Sequence, residues 1–275
     1  MGHIFDITSA KLFQSWYQSS QGKAMDEAIN KSILTLLEPQ RGERVLDIGC
    51  GEGNHLLYLG SLGLDINGID ASPYMISRAR ERLGDRCTLK TGVAEDLPFD
   101  DNEFDLAVFI NTLEFLDNPM QALREAGRVA KRKVFIGAMN SLSWSCLSRK
   151  SAGLFRQSIF KHIRFYNIWE LKTFVQMAYG NVPIAWRCAP GRSAVLGRMD
   201  RLMNERWNIQ HCPFGSFLGL SATILYRTKT EQHPLKVRLK KAGQPIARGV
   251  TMEKINLVKR NHRDEGSLSI RKNGA

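Results

Sequence analysis

Apolar residues in this chain come in short runs separated by stretches of helical spacing. Val45, Leu46 and Ile48 open the series, and Leu64–Asp70, a short stretch around Cys87–Lys90, Phe104–Ile110 and Lys133–Met139 continue it. Val45, Leu46 and Ile48 suit a strand buried on both faces of a parallel sheet, and the later runs are of strand length. Between them, Asn54–Leu62, the segment that opens at Ser72-Pro73, and Met120–Ala130 carry apolar residues every three to four positions. Ser72 and Asn118 are N-cap residues followed by proline, which fixes where two of these helices begin. Strand and helix alternate throughout, the pattern of a mostly parallel sheet covered on both sides.

Upstream, residues 8–37 read as two helices broken near Ser19–Gly22, with Leu12, Phe13, Trp16 and Tyr17 on one side and Ala28, Ile29, Ile33, Leu36 and Leu37 later. Downstream, Asn167–Tyr179 reads as a helix, and Val182–Cys188 and Ser221–Arg227 as strands. The long connection Arg192–Gly215 has room for a short helix over 193–205, and its Trp207, His211 and Phe214 are candidates to line a pocket.

The first strand runs directly into glycine at every second position: Val45-Leu46-Asp47-Ile48-Gly49-Cys50-Gly51-Glu52-Gly53. Strand, glycine loop and helix together present free backbone N–H groups and a positive helix end to a ligand. The dinucleotide fingerprint requires a third glycine at residue 54, which is Asn54, so a nicotinamide cofactor is disfavoured. The sequence that does stand, D-x-G-x-G-x-G, resembles the class I S-adenosylmethionine-dependent methyltransferases, in particular the type 11 family. Further segments in the expected order extend the resemblance over roughly residues 8–138: Asp70 at the tip of the second strand, Thr91-Gly92-Val93-Ala94-Glu95-Asp96-Leu97-Pro98-Phe99, and Asn111-Thr112-Leu113-Glu114 after the fourth strand.

The resemblance implies a Rossmann-like seven-stranded fold closed by an antiparallel edge hairpin, with S-adenosyl-L-methionine as cofactor. It places Asp47 toward the charged methionyl end and Gly49, Cys50, Gly51 and Gly53 along the backbone approach. Asp70 and Ala71 fall at the ribose, Met75, Val93, Ala94 and Glu95 beside adenine, and Asn111, Thr112 and Leu113 along the methionyl arm. A segment ahead of the first strand often folds over the cofactor in such proteins, which would make Tyr17, in Trp16-Tyr17, its contact here; packing of these aromatics on the sheet is the alternative. Val93 departs from the family pattern, which commonly has an aspartate that accepts from the adenine amino group. Enzymes that methylate nucleobase amines carry [N/D/S]-P-P-[F/Y/W] where this chain has Asn111-Thr112-Leu113-Glu114, so adenine or cytosine N-methylation is disfavoured. Glu114 is the candidate catalytic base, with the fixing of loop geometry as its alternative.

Charge and cysteine usage narrow this further. Net charge is +12, from 39 Lys and Arg against 27 Asp and Glu, and the segment from Lys229 to Ala275 holds twelve basic and four acidic residues, 12 − 4 = +8. Three divisions are expected: an N-terminal helical cap over 1–40, the methyltransferase domain over 41–230, and a basic, disordered tail over 231–275. Residues 140–166 interleave Trp144, Leu154, Phe155, Phe160 and Tyr166 with Arg149, Arg156, Lys161 and Arg164, which suits a lid over an apolar or anionic substrate or peripheral contact with lipid. Five scattered cysteines without a C-x-x-C pair argue against disulfides and a metal site. With no apolar run long enough to span a bilayer and no secretory pattern, the cytoplasm is the expected location. The expected activity is methyl transfer to a small-molecule acceptor. The alternatives are an RNA methyltransferase that uses the basic tail, and a cofactor-binding protein without catalysis.

Overall fold

The computed structural model describes Ser15 and residues 17–143, 164–189 and 213–224. The chain divides into units Met1–Arg227 and Thr228–Ala275, and every described residue lies in the first. Seven strands form its sheet: β1 Arg44–Ile48, β2 Asp65–Asp70, β3 Thr88–Thr91, β4 Phe104–Ile110, β5 Ala130–Met139, β6 Ile184–Ala189 and β7 Phe217–Thr223. Their order is β3-β2-β1-β4-β5-β7-β6, with β7 antiparallel to both β5 and β6 and the remaining pairs parallel.

Strands buried at nearly every position require cover on both faces, and the helices supply it. In β4, Ala107 and Phe109 point to one side, where helix α4 (Pro119–Val129) and helix α5 (Ile168–Tyr179) contribute Ala122, Leu123, Ala126, Leu171 and Val175. Leu106, Val108 and Ile110 point to the other. There α1 (Ser20–Ser32), a single π-helical turn (Ile33–Leu37), α2 (Asn54–Ser61) and α3 (Pro73–Leu83) bring Ile29, Ile33, Leu37, Leu56, Leu59, Ile76, Ala79 and Leu83.

Local signals set the helix starts. Ser72 Oγ accepts from Met75 N at 3.4 Å with Pro73 in the first turn, and Asn118 Oδ1 accepts from Gln121 N at 3.1 Å ahead of Pro119. Ser19 caps α1 through Gly22 N at 3.1 Å, so the break expected near Ser19–Gly22 is a helix start. Asn167 and Glu170 form a reciprocal capping box at α5, each bond 2.9 Å.

The last strand differs from the sequence expectation by four residues: it spans Phe217–Thr223, not Ser221–Arg227. Gly215, Ser216 and Gly219 dilute the apolar pattern at its start, yet Phe217, Leu218 and Leu220 are wholly buried. Gly219 is small because α1 crosses it: a Cβ there would lie 3.1 Å from Ser32 Cβ and 3.2 Å from Leu36 Cδ1. Strand β5 begins at Ala130, three residues before the expected Lys133, by pairing past an irregularity between Phe104 and Leu106. Most of the expected lid (144–163), the 190–212 connection with Trp207 and His211, and residues 225–275 lie outside the described residues. Among the described residues, no helix is long and apolar enough to cross a membrane.

Candidate cofactor and active site

After β1 the chain builds the sheet outward through β2 and β3, then returns to place β4 on the other side of β1. The carboxyl ends of β1 and β4 therefore border the crevice at which ligands bind in open α/β sheets. The glycine loop leaves β1 at this point. Gly49 N and Cys50 N both donate to Ile69 O, at 2.8 and 3.1 Å, which pins the loop to the tip of β2.

The three loop glycines have different jobs. Gly49 meets the end of β4 so closely that a Cβ would lie 2.3 Å from Thr112 Cγ2, and a Cβ on Gly53 would lie 2.7 Å from Leu83 Cδ1 on α3. Those two are packing requirements. Gly51, at φ +53°, faces open space, with nothing within 4 Å of where its Cβ would stand. The Cys50 side chain is buried against β2, where a Cβ on Gly68 would be 2.9 Å from its Sγ, so only its backbone belongs to the loop surface.

Two acids flank this opening. Asp70 Oδ2 accepts from Gly51 N at 2.9 Å and Oδ1 from Ser72 N at 2.8 Å, so Asp70 shapes the loop and has its remaining lone pairs for a ligand. Asp47 is almost wholly buried, and its Oδ1 has no hydrogen-bond partner. Burial, then the neighbouring charge of Asp70, pushes its carboxyl up to about 8. A buried carboxylate without a partner costs several kcal/mol and takes up a proton instead.

Asn111 lies at the end of β4 with φ +52°, a strained conformation for a residue other than glycine. Its backbone N–H is held by Gly137 O at 2.8 Å, whereas both atoms of its buried carboxamide lack a hydrogen bond. The carboxamide lies near enough to the Tyr17 hydroxyl to favour that group's ionised form. Burial and the Asp26 and Asp47 charges outweigh this and hold the Tyr17 phenol above its usual range. Tyr17, Asp47 and Asn111 thus lie close enough for Asp47 and Asn111 to act on the phenol. His55, absent from the sequence expectations, joins them: its Nε2 is 2.9 Å from the Tyr17 hydroxyl, and burial pushes the imidazole down to about 4.

The other expected residues divide. Met75, in the first turn of α3, and Ala94, in the loop that follows β3, are buried, Val93 is exposed, and Ala71 and Glu95 are half-buried, with Glu95 Oε1 accepting from Asn118 N at 3.4 Å. Thr112 is committed to Gly49 and to the Ile110 carbonyl, to which its hydroxyl donates at 3.2 Å. The Leu113 side chain is wholly buried in the core and its carbonyl accepts from Tyr166 Oη at 3.2 Å, which leaves its backbone N–H as the part nearest the end of β4. Glu114 is buried, with Oε1 accepting from Met139 N at 2.7 Å, its carbonyl accepting from Arg164 N at 3.0 Å, and Oε2 without a partner. Burial pushes its carboxyl up to about 7. Phe214, the one member of its expected pocket trio within the described residues, is exposed.

These residues fit S-adenosylmethionine: an unpartnered acid for its positive end, an open glycine for its backbone approach, and an acid at the ribose position. A family described as methyltransferase domain matches residues 46–136. The sterol 4-C-methyltransferase of Caenorhabditis elegans is 29% identical over 119 residues, covering 40% of this chain and 36% of that protein. The chloroplastic tocopherol O-methyltransferase of Arabidopsis thaliana is 28% identical over 130 residues, covering 45% and 37%. The chain thus spans little more than a third of the length of either relative. The crystal structure of a Synechocystis magnesium protoporphyrin IX methyltransferase with bound S-adenosylhomocysteine shares the fold at a TM-score of 0.59 and 15% identity, covering 80% of this chain and 96% of that one.

Proposed function

The chain belongs to the class I S-adenosylmethionine-dependent methyltransferases, and from that premise we propose that it methylates a small, largely apolar acceptor. The observation that carries the cofactor half of this reading is the buried, unpartnered Asp47 beside the open face of Gly51. The acceptor half rests on the sterol and tocopherol acceptors of the two relatives, and on the absence of the nucleobase tetrapeptide at Asn111-Thr112-Leu113-Glu114.

The cofactor supplies an activated methyl group on a sulfonium that leaves as a neutral thioether. The protein's task is then alignment and the exclusion of water. Asp47 and Asn111, set on adjacent strand ends, hold the charged arm, while the Asp70 lone pairs left by Gly51 N and Ser72 N take ribose hydroxyls. Met75 and the Val93–Glu95 turn border the base, with Val93 packing on it where the family's usual acid is missing. Glu114 is assigned as a support, tying the end of β4 to β5 through Met139 N, which keeps Asn111 at its strained position.

An RNA acceptor is the second reading, favoured by the +8 charge of the segment from Lys229 to Ala275. Full-length protein incubated with methyl-labelled cofactor against a metabolite extract and total RNA in parallel separates the two. Label in an organic-soluble product supports the first reading, and label confined to RNA overturns it.

A further inference from the structure

Tyr17 and His55 are 38 residues apart in sequence and meet at 2.9 Å, between the chain ahead of α1 and the first turn of α2. Which of them carries the shared proton is decided on the far side of the imidazole. There His55 Nδ1 lies 3.7 Å from Asp26 Oδ1, on α1. That is too long for a hydrogen bond but close enough for the carboxylate to favour a proton on Nδ1 over a lone pair. With its proton on Nδ1, a neutral ring has only a lone pair at Nε2, so the bond runs from the Tyr17 hydroxyl to His55. The phenol oxygen then has no proton to give in any other direction. Its lone pairs share their surroundings with the Asp47 carboxylate and the Asn111 carboxamide, the two groups that act on it from the ends of β1 and β4.

This arrangement leaves the lone pairs of Tyr17 near the buried Asn111 carboxamide and near Asp47, whose buried carboxyl holds a proton in the absence of a cation. A ligand cation that enters between the phenol oxygen and Asp47 would displace that proton and take both oxygens as acceptors. Resting on the cofactor reading above, we propose that His55 is a positioning residue that accepts the hydrogen bond of the Tyr17 hydroxyl and so turns the lone pairs of the phenol oxygen toward the positively charged end of S-adenosylmethionine. Asp26 acts one step further out by fixing the tautomer of His55. The relay explains why a histidine is buried beside the glycine loop with one nitrogen aimed at an acid and the other at a phenol. The α-ammonium and the sulfonium carry the same chemistry toward Tyr17, and the ligands used below tell them apart.

The test is calorimetric binding to the full chain of S-adenosylmethionine, of S-adenosylhomocysteine, which lacks the sulfonium charge, and of 5′-methylthioadenosine, which lacks both positive groups. His55→Leu and Tyr17→Phe should each weaken S-adenosylmethionine by roughly 10- to 100-fold, the range for a hydrogen bond to a charged group, and leave 5′-methylthioadenosine unchanged. His55→Gln, whose amide oxygen can accept the phenol proton, should restore most of the affinity. Equal loss for S-adenosylhomocysteine assigns Tyr17 to the ammonium, and loss confined to S-adenosylmethionine assigns it to the sulfonium. Parallel weakening of all three ligands would mean that the pair only supports the fold, and unchanged affinities would mean that Tyr17 does not face the charge. Either result overturns the inference while the cofactor reading stands. Failure of the unaltered protein to bind any of the three would remove both.

Discussion

Replacement of Gly51 separates ligand approach from folding more cleanly than any other change in the loop. A Cβ at Gly51 meets nothing within 4 Å, so the ligand-free protein bears only the strain of placing an L-residue at φ +53°. That strain is about 1–2 kcal/mol. For a domain of this size it should lower the melting temperature by roughly 2–8 °C, at about 2–4 °C per kcal/mol. Any side chain there fills the space left for the cofactor, and Gly51→Val should reduce S-adenosylmethionine affinity by at least ~100-fold, the equivalent of about 2.7 kcal/mol. Gly51→Asn controls for strain, because asparagine tolerates left-handed backbone: it should melt nearer the parent and still fail to bind.

Gly49→Ala is the opposite case. Its Cβ would lie 2.3 Å from Thr112 Cγ2 and 2.6 Å from Thr112 Oγ1, on a side chain packed at the end of β4. Stability should drop further than in Gly51→Val although the new side chain is smaller. Calorimetry and thermal melts on the three variants decide the matter. If Gly51→Val and Gly51→Asn both bind within threefold of the parent, the open face of Gly51 is not where the cofactor lies.

Asp47 titrates against stability in the ligand-free protein. Its folded value near 8 exceeds the unfolded value of 3.8, so the folded state holds the extra proton between those limits and stability falls as pH rises from about 4 to 8. Asp47→Asn should therefore melt higher than the parent at pH 9 and lose S-adenosylmethionine affinity; a melting temperature that falls at pH 9 counts against an unpartnered acid. Glu114→Gln keeps an amide oxygen for Met139 N, so its melting temperature and the pH profile of turnover should match the parent, whereas loss of an ionisation near pH 7 from the kcat profile would make Glu114 a base. Truncation before residue 231 should leave cofactor affinity and turnover on an organic acceptor intact; loss of methylation on RNA alone, with cofactor binding retained, would promote the RNA reading.

The central sheet was legible because its strands are covered on both faces, and a strand so placed needs apolar residues at nearly every position. Val45–Ile48 and Phe104–Ile110 could hardly be anything else. The antiparallel edge was less legible. β7 carries two kinds of information at once, apolar residues for the core and Gly219 for the close passage of α1, and the glycine hides the strand's true start. Glycine spacing pointed correctly to a ligand loop but could not tell that Gly49 and Gly53 answer to Thr112 and Leu83, leaving Gly51 alone to face the open side.

The polar part of the site was legible only where a residue's position in the loop defines its role, as with Asp47 and Asp70. Tyr17, Asp26 and His55 lie on three segments whose mutual approach depends on α1 packing against the sheet through Ile29, Ile33 and Leu37, and no spacing in the sequence encodes that meeting. His55 had one signal: a polar ring in the first turn of a helix whose Leu56 and Leu59 are core residues. A histidine on an apolar face is most often a satisfied core residue, and here its neighbours are a phenol at 2.9 Å and an acid at 3.7 Å. Asn111 shows the same limit from the other side, since its positive φ is imposed by the β4 terminus, held through Gly137 O behind it and Glu114 beyond it. The order of strands could be read locally because each strand satisfies itself. The surroundings of Tyr17 could not, because its neighbours His55, Asp47 and Asn111 all come from other segments and meet it only once α1 has packed on the sheet.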